Sequence, residues 1–195
     1  MAEITLETVR AFYDRHNIEK GDRGWMKRQE LLSMSPQFMG RKVLEIGCGT
    51  GALAGKLQEN HPDYTAIDLS PVSIEKAKKD FPDVKFIVGD FMEYQTDEKF
   101  NTIALFDSLE HFADWRKVLA KVIPLLNPRG RILLNIPNPD FTKFCQRSEI
   151  FEHIIDNLIW LEDLLVEFKK YHLDLIYYHL YSVETYKQYQ FCVFQ

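Results

Sequence analysis

Short apolar runs alternate with longer amphipathic segments along the middle of the chain. The apolar runs predict five β-strands, at Val43–Ile46, Tyr64–Leu69, Val84–Val88, Thr102–Phe106 and Arg131–Ile136. Helical periodicity separates the strands, at Ala52–Asn60, Val72–Phe81 and Trp115–Leu126. Because strands that alternate with helices are parallel strands joined by crossovers, the pattern predicts an α/β fold.

The two ends of the chain depart from this alternation. Helical patterns fill Ile4–Met34, which we interpret as a lid or a packing element. After the fifth strand, Asn138–Glu149 is predicted to be an irregular insertion and Ile154–Tyr171 a long helix. Two late β-type runs, Leu173–Tyr181 and Tyr189–Phe194, predict an antiparallel hairpin at a sheet edge.

Individual residues mark where helices begin and end. Ser70 is a candidate N-cap, and Pro71 suits the first turn of the helix that follows. Pro124 predicts that the third helix bends or ends early, because proline cannot donate the helical hydrogen bond. The sequence "NPRG" at 127–130 predicts the turn into the fifth strand.

Three glycines stand at alternate positions after the first strand, in "KVLEIGCGTGALAGKL". Gly47, Gly49 and Gly51 predict a turn where the backbone N–H groups and a helix N-terminus face a ligand. The sequence fits G-x-G-x-G, and it also fits the dinucleotide fingerprint G-x-G-x-x-A through Ala52. Two classes of nucleotide ligand therefore stay open.

Composition and charge limit which partners the sequence predicts. The 195 residues carry a formal charge of −5 with interleaved signs, so they form no basic stripe and nucleic acid is not an expected partner. No membrane span or secretion signal is evident, which predicts a cytoplasmic protein without a membrane partner. The three cysteines, Cys48, Cys145 and Cys192, form no CxxC pair and predict neither disulfides nor a metal site.

Acidic residues lie at the ends of three successive predicted strands. Glu45 precedes the glycine loop, and Asp68 lies about 20 positions after Gly47, where an acid accepts hydrogen bonds from ribose hydroxyls. Asp90 could accept a hydrogen bond from an adenine amino group, with Phe91 offering an apolar face to the ring. This set suits a nucleoside with a positive charge better than a pyrophosphate.

Four ordered motifs resemble the class I S-adenosylmethionine-dependent methyltransferases: "VLEIGCGTGALAGKL", "YTAIDLSPVSIEKAKKDF", "VKFIVGDF" and "FNTIALFDSLEHFADWRKVLAKVIPLLNPRGRILLNIP". The resemblance runs from about Lys42 to Pro137. It implies a Rossmann-like, doubly wound, seven-stranded sheet, mostly parallel with an antiparallel last strand and helices on both faces. It also implies S-adenosylmethionine as cofactor and S-adenosylhomocysteine as product.

The resemblance assigns cofactor-binding residues to the end of each of the first four strands. They are Glu45, Gly47, Gly49 and Gly51 at the methionine part, Asp68 at the ribose with Leu69 beside it, Asp90 and Phe91 at the adenine, and Phe106, Asp107 and Leu109 near the sulfonium. Two departures are noted: "NPRG" replaces the more usual "PGG", and "NPDF" follows the fifth strand rather than the fourth. No catechol-type metal cluster is evident.

His111, in "SLEHF", is the candidate general base, because an unperturbed imidazole titrates near working pH. A packing or capping role is its structural alternative. Candidate substrate residues are Tyr13, His16, Trp25 and Asn138, and the aromatic ones among them also suit a core. Tyr13 and His16 are in addition the weaker alternatives as base.

The sequence predicts a single methyltransferase domain over 1–195. Within it we distinguish a helical lid or packing segment (1–40), a cofactor-binding core (41–137), an insertion and helix on the substrate side (138–172) and a hairpin (173–195). The predicted activity is methyl transfer to a small molecule, by O- or N-methylation, on a sugar or a secondary metabolite for instance. Two alternatives stay open: a nicotinamide-dependent oxidoreductase, and a non-catalytic partner subunit that binds the cofactor. The edge of the hairpin is open to pairing, so a homodimer is compatible with the sequence.

Overall fold

The computed structural model describes residues 5–20, 25–148, 155–183 and 187–195, without the side chains of residues 16–20, 25, 147 and 148. The chain divides into two units, Met1–Glu98 and Lys99–Gln195. Whether the whole chain forms one domain with the four segments outlined above stays a prediction.

The first unit begins with two helices, α1 (Leu6–Lys20) and α2 (Trp25–Met34), as the helical pattern of the first 34 residues predicts. Strands β1 (Lys42–Ile46), β2 (Asp63–Asp68) and β3 (Lys85–Val88) follow. Both β1–β2 and β2–β3 pair in parallel, with Ile46 opposite Ile67 and Asp68 opposite Val88. The side chains of β1 and β2 are mostly buried and those of β3 only in part, and the apolar runs identified all three strands correctly.

Two helices connect the strands of the first unit. Helix α3 (Ala54–Leu57) is shorter than the predicted Ala52–Asn60, because the residues around it form turns. Helix α4 (Pro71–Asp80) begins where expected: the Ser70 side chain accepts a hydrogen bond from the Ser73 N–H at 3.1 Å, and Pro71 occupies the first turn.

The second unit begins with β4 (Phe100–Phe106) and α5 (Trp115–Val122). A short 3₁₀ helix, Ile123–Leu125, replaces the end of the predicted helix, so Pro124 shortens α5 as predicted. Strand β5 (Leu126–Pro137) pairs in parallel with β4, with a shift in register between Phe100 and Thr102. The "NPRG" sequence lies in this irregular stretch, where Arg129 has a φ of 62°.

The end of the chain corrects two sequence-based predictions. The segment predicted to be an irregular insertion contains α6 (Pro139–Ser148), a ten-residue helix, and Glu149 lies outside the described residues. Helix α7 (Leu161–Lys169) is shorter than the predicted Ile154–Tyr171, because 155–160 are not helical and Ile154 is not described. Helical periodicity alone did not reveal α6 and did not locate the ends of α7.

The last two strands, β6 (Leu175–Val183) and β7 (Lys187–Phe194), form the predicted antiparallel pair. β7 also pairs antiparallel with β5, placing Pro137 opposite Tyr189. Phe168 of α7 stacks on Phe194 at 3.8 Å between ring centroids, and both side chains are fully buried.

The strand order of the sheet is β3-β2-β1-β4-β5-β7-β6, so β6 is an edge strand. Seven strands, mostly parallel with β7 antiparallel, confirm the Rossmann-like α/β fold. Among the described helices, none combines the length and the apolar character that crossing a membrane requires.

Candidate functional site

The three glycines after β1 all have left-handed backbone conformations. Their φ angles are 79° at Gly47, 53° at Gly49 and 76° at Gly51. An L-residue with a side chain is strained in this region by about 1–2 kcal/mol, so glycine is favoured at all three positions. A Cβ atom on Gly51 would also lie 2.6 Å from Cζ of Phe86. The alternate glycines therefore shape the loop itself, and their role in letting a ligand approach stays a prediction.

Asp68, the last residue of β2, joins the glycine loop to the turn before α4. Its Oδ2 accepts a hydrogen bond from the Gly49 N–H at 2.7 Å, and its Oδ1 accepts one from the Ser70 N–H at 2.9 Å. A carboxylate offers about four lone-pair sites, so two backbone bonds leave capacity to accept hydroxyl groups. The contact of Asp68 with the hydroxyls of a ribose stays a prediction.

Helix α1 is bonded to the same turn. The Ser70 hydroxyl donates to Oδ1 of Asp14 at 2.5 Å, while its oxygen caps α4. Burial raises the pKa of Asp68, the backbone hydrogen bonds from Ser70 and Gly49 lower it, and the nearby charge of Asp14 raises it. Asp14 was not singled out in the sequence, because nothing in the sequence places α1 beside the end of β2.

Glu45 lies inside the protein, below the glycine loop. Its side chain is 2% exposed, and its Oε2 accepts a hydrogen bond from the Tyr64 hydroxyl at 2.9 Å. Burial is the main cause that raises the pKa of Glu45 to about 7; the Tyr64 bond opposes this effect and the charge of Asp68 adds to it. Glu45 therefore changes charge near neutral pH.

The residues predicted to hold adenine follow β3. Oδ1 of Asp90 accepts a hydrogen bond from the Met92 N–H at 2.8 Å, which orders the turn. Phe91 is 3% exposed, and its ring lies 6.4 Å from that of Tyr94. Leu69, after β2, is half-buried. Phe91 is thus a packed side chain, and its contact with a ring ligand stays a prediction.

The end of β4 carries the fourth group of predicted cofactor residues. Phe106 and Leu109 are buried, and Asp107 between them is half-buried with a φ of 52°. The Asn135 amide of β5 donates to Oδ1 of Asp107 at 2.7 Å, and the Tyr181 hydroxyl donates to Oδ1 of Asn135 at 2.8 Å. Sequence analysis missed Asn135, although a polar residue within the apolar run "RILLNIP" is a signal that could have identified it.

His111 ends a 3₁₀ helix, Leu109–His111, that follows β4. Its Nδ1 lies 2.9 Å from the carbonyl oxygen of Ile155. Since a carbonyl only accepts hydrogen bonds, Nδ1 carries the proton and the neutral ring has its lone pair on Nε2. Nε2 lies 3.7 Å from Oε1 of Glu110, and Nδ1 lies 3.7 Å from Oδ1 of Asp156. Burial raises the pKa of Asp156 to about 6.

Asn157 anchors the segment that carries His111. Its side-chain amide donates to the carbonyl oxygens of Glu110 at 2.9 Å and Phe112 at 2.7 Å, and its backbone N–H donates to Glu110 at 2.9 Å. These three bonds fix the backbone on both sides of the imidazole. No sequence signal indicated them, because the residues are more than 40 positions apart.

The structure describes the side chains of two of the four predicted substrate residues, Tyr13 and Asn138. The ring of Tyr13 packs edge-on against Phe12 at 5.1 Å. His16 and Trp25 belong to α1 and α2, but their side chains lie outside the described residues. Oδ1 of Asn138 accepts a hydrogen bond from the Asp140 N–H at 2.9 Å, so this side chain orders the start of α6. A role in substrate binding stays a prediction for all four.

Residues 5–20, 25–148, 155–183 and 187–195 contain no group of three or more His, Cys, Asp or Glu side chains suited to a metal ion. Cys48, Cys145 and Cys192 are free thiols and buried.

The sequence matches a family model described as a methyltransferase domain over residues 16–189. Among curated proteins it is similar to the trans-aconitate 2-methyltransferase of Escherichia coli (strain K12 / DH10B), with 31% identity over 111 residues, 56% of this chain and 44% of that protein. The enzyme of the same name from Shigella flexneri serotype 5b (strain 8401) is 30% identical over the same shares. The chain thus spans less than half the length of the curated relatives it matches.

Solved structures with the same fold include magnesium protoporphyrin IX methyltransferase (ChlM) from Synechocystis PCC 6803 with bound SAH. Its TM-score is 0.78 at 14% identity, over 97% of this chain and 99% of that chain. N-methyltransferase NodS from Bradyrhizobium japonicum WM9, in complex with S-adenosyl-l-homocysteine, gives a TM-score of 0.72 at 21% identity, over 97% and 95% of the two chains. At these identities the likeness establishes the fold.

Proposed function

Because this chain belongs to the class I S-adenosylmethionine-dependent methyltransferases, we propose that it transfers the methyl group of S-adenosylmethionine to a small-molecule acceptor. The observation that carries the proposal is the bond between the Gly49 N–H and the Asp68 carboxylate, which joins the glycine loop to the end of β2. The family match favours this function over a nicotinamide-dependent oxidoreductase.

The first unit offers groups that fit the cofactor. We propose that Gly47, Gly49 and Gly51 lie under its methionine part with Glu45 below them, and that Asp68 accepts its ribose hydroxyls. Support comes from the spare acceptor capacity of Asp68 and from the three glycines of the loop, which have no Cβ atoms that could obstruct a ligand. We also propose the remaining assignments that the resemblance implies: Leu69, Asp90, Phe91, Phe106, Asp107 and Leu109.

The bound cofactor supplies an activated methyl group on a positively charged sulfur. We propose that His111 accepts the proton that a hydroxyl or ammonium acceptor must lose, through the Nε2 lone pair that its Ile155 contact selects. The three hydrogen bonds of Asn157 hold the backbone around this ring. Holding reactants in near-attack geometry contributes about 7–11 kcal/mol in intramolecular analogies, so positioning supplies much of the rate.

A small-molecule acceptor agrees with the names of the relatives. The curated relatives are named for trans-aconitate, and one structural neighbour for magnesium protoporphyrin IX. O- or N-methylation, on a sugar or a secondary metabolite for instance, suits a proton-accepting histidine. Tyr13, His16, Trp25 and Asn138 are the residues we propose for the acceptor side, with Asn138 also serving the start of α6.

The net charge and the free cysteines support proposals on the location and the partners of the protein. We propose a cytoplasmic location, since all three cysteines are free, and neither nucleic acid nor a membrane as partner, since the net charge is −5. A homodimer is a further proposal, supported by the edge position of β6.

A transfer assay tests the activity. The purified chain is incubated with methyl-labelled S-adenosylmethionine and a panel of carboxylic acids, sugars, phenols and amines, and label in the acceptor is measured with formation of S-adenosylhomocysteine. Labelling of at least one acceptor class, lost without enzyme, is the expected result. Tight binding of S-adenosylhomocysteine without transfer to any class would contradict the proposal and favour the non-catalytic partner subunit.

A further inference from the structure

A buried amide connects the end of β4 to the edge hairpin. Asn135 is a polar residue among apolar neighbours in β5, and its side chain is 0% exposed. Its Nδ2 donates to Oδ1 of Asp107 at 2.7 Å, and its Oδ1 accepts from the Tyr181 hydroxyl at 2.8 Å. A polar side chain buried at this depth is costly unless its groups are hydrogen-bonded, and both ends of this amide are.

The direction of these hydrogen bonds is determined by the carboxylate. An ionised Asp107 only accepts, so the amide must turn its NH₂ group toward it. The amide oxygen then faces Tyr181, whose hydroxyl must donate. Removing that hydroxyl would leave the buried amide oxygen without its donor and loosen the side chain that holds Asp107.

Asn135 also holds the backbone of Asp107. The Asp107 N–H donates to the carbonyl oxygen of Asn135 at 2.7 Å, and Asp107 has a φ of 52°. A left-handed residue other than glycine stores about 1–3 kcal/mol of strain, which persists only where the surroundings determine it. One residue of β5 thus fixes both the main chain and the side chain of Asp107.

We propose that Asn135 is a positioning residue, which together with Tyr181 holds the Asp107 carboxylate so that it favours a cationic ligand group over a neutral one. The inference rests on the proposed function, in which the cofactor carries a positive sulfonium and the product S-adenosylhomocysteine is a neutral thioether. A fixed carboxylate strengthens binding of the charged form and leaves binding of the neutral form nearly unchanged. The network therefore favours exchange of product for fresh cofactor.

Two ligands that differ in charge at the position of the sulfonium test the proposal. Sinefungin carries an amine where the cofactor carries its methyl sulfonium, and S-adenosylhomocysteine carries no charge there. Calorimetric dissociation constants of both are measured at pH 7.5 for wild type, Asn135→Leu and Tyr181→Phe. Tyr178→Phe is the matched control, because its side chain on the same strand is 38% exposed. Thermal melting establishes that each variant is folded.

The expected result is that the wild type prefers sinefungin, and that each network variant reduces this preference about tenfold while the S-adenosylhomocysteine constant stays within about twofold. Tyr178→Phe keeps the wild-type preference. If Asn135→Leu does not fold, Tyr181→Phe alone decides, since it removes a single oxygen atom. An unchanged preference in Tyr181→Phe would overturn the positioning role. A wild type that binds neither ligand would instead overturn the proposed function, and this inference with it.

Discussion

The backbone N–H of Gly49 donates a hydrogen bond of 2.7 Å to Oδ2 of Asp68, joining the loop after β1 to the end of the neighbouring strand β2. The two residues belong to different motifs in the sequence. They meet because β1 and β2 pair in parallel, with Ile46 opposite Ile67, so both strands end at the same edge. In a parallel α/β sheet, this edge is where ligands bind.

Gly49→Ala is expected to destabilise the protein by about 1–2 kcal/mol, because alanine is strained at a φ of 53°. Affinity for S-adenosylhomocysteine should also fall, since relief of that strain moves the N–H away from Asp68. Urea unfolding and calorimetry measure the two effects.

Gly89→Ala is the control for this substitution. Gly89 does not have a positive φ, and a Cβ atom there would meet nothing within 4 Å, so the free energy of unfolding should stay within about 0.5 kcal/mol of wild type. Equal destabilisation by the two alanines would contradict the conformational explanation of the loop.

Glu45 makes stability depend on pH. Its pKa is raised from 4.5 to about 7 in the folded protein, so the folded state binds more protons than the unfolded state between these values. Its contribution to stability is therefore fully present below pH 4.5 and is lost as the pH rises to about 7. The shift corresponds to roughly 3 kcal/mol.

Glu45→Gln removes this titration while keeping a side chain of similar shape. We expect the free energy of unfolding of the variant, measured in urea from pH 4.5 to 8, to fall less steeply with rising pH than that of wild type. Parallel curves for the two proteins would show that Glu45 does not titrate in this range.

Ser70 couples the start of α4 to α1. Ser70→Ala should lower the free energy of unfolding by about 1 kcal/mol through loss of the helix cap. Loss of the hydrogen bond to Asp14 should lower it further. A double-mutant cycle of Ser70→Ala and Asp14→Ala in urea isolates that second part. A coupling energy of about 1 kcal/mol is expected, whereas strict additivity would argue against the bond between the helices.

His111→Gln should lower kcat by about 100- to 10,000-fold with an acceptor that must lose a proton, because the variant lacks the Nε2 base. The affinity for S-adenosylhomocysteine should change by less than about twofold. His172→Asn is the matched control: His172 is exposed and has a φ of 57°, which asparagine tolerates. Rates are measured as S-adenosylhomocysteine formed. A wild-type kcat in His111→Gln would assign this histidine to packing.

The sequence predicted the strands well because buried parallel strands are continuous apolar runs, and all five runs lie within β1 to β5 or overlap them. The start of α4 was predictable from Ser70 and Pro71 for a local reason, since capping acts over three residues. Helix α6 was missed because Pro139 and Asp140, typical of turns, are equally typical of a helix N-terminus.

The contacts that define the site were harder to predict. Tyr181 meets Asn135 only because β7 pairs with both β5 and β6, and that register is a property of the whole sheet. Likewise, Asn157 reaches the His111 segment from a stretch without regular secondary structure. Such partners are set by tertiary packing, so the sequence singled out Asp107 and His111 as candidates but gave no sign of the residues that hold them.

The proposed function depends on the binding of S-adenosylmethionine by Asp68 and the glycine loop. Its most direct test is calorimetric titration of wild type and Asp68→Ala with S-adenosylhomocysteine. A parallel titration with NADH tests the alternative, a nicotinamide cofactor. We expect micromolar binding of S-adenosylhomocysteine to wild type, loss of at least tenfold in affinity in Asp68→Ala, and no binding of NADH. Wild-type affinity in the variant, or binding of NADH in place of S-adenosylhomocysteine, would contradict it.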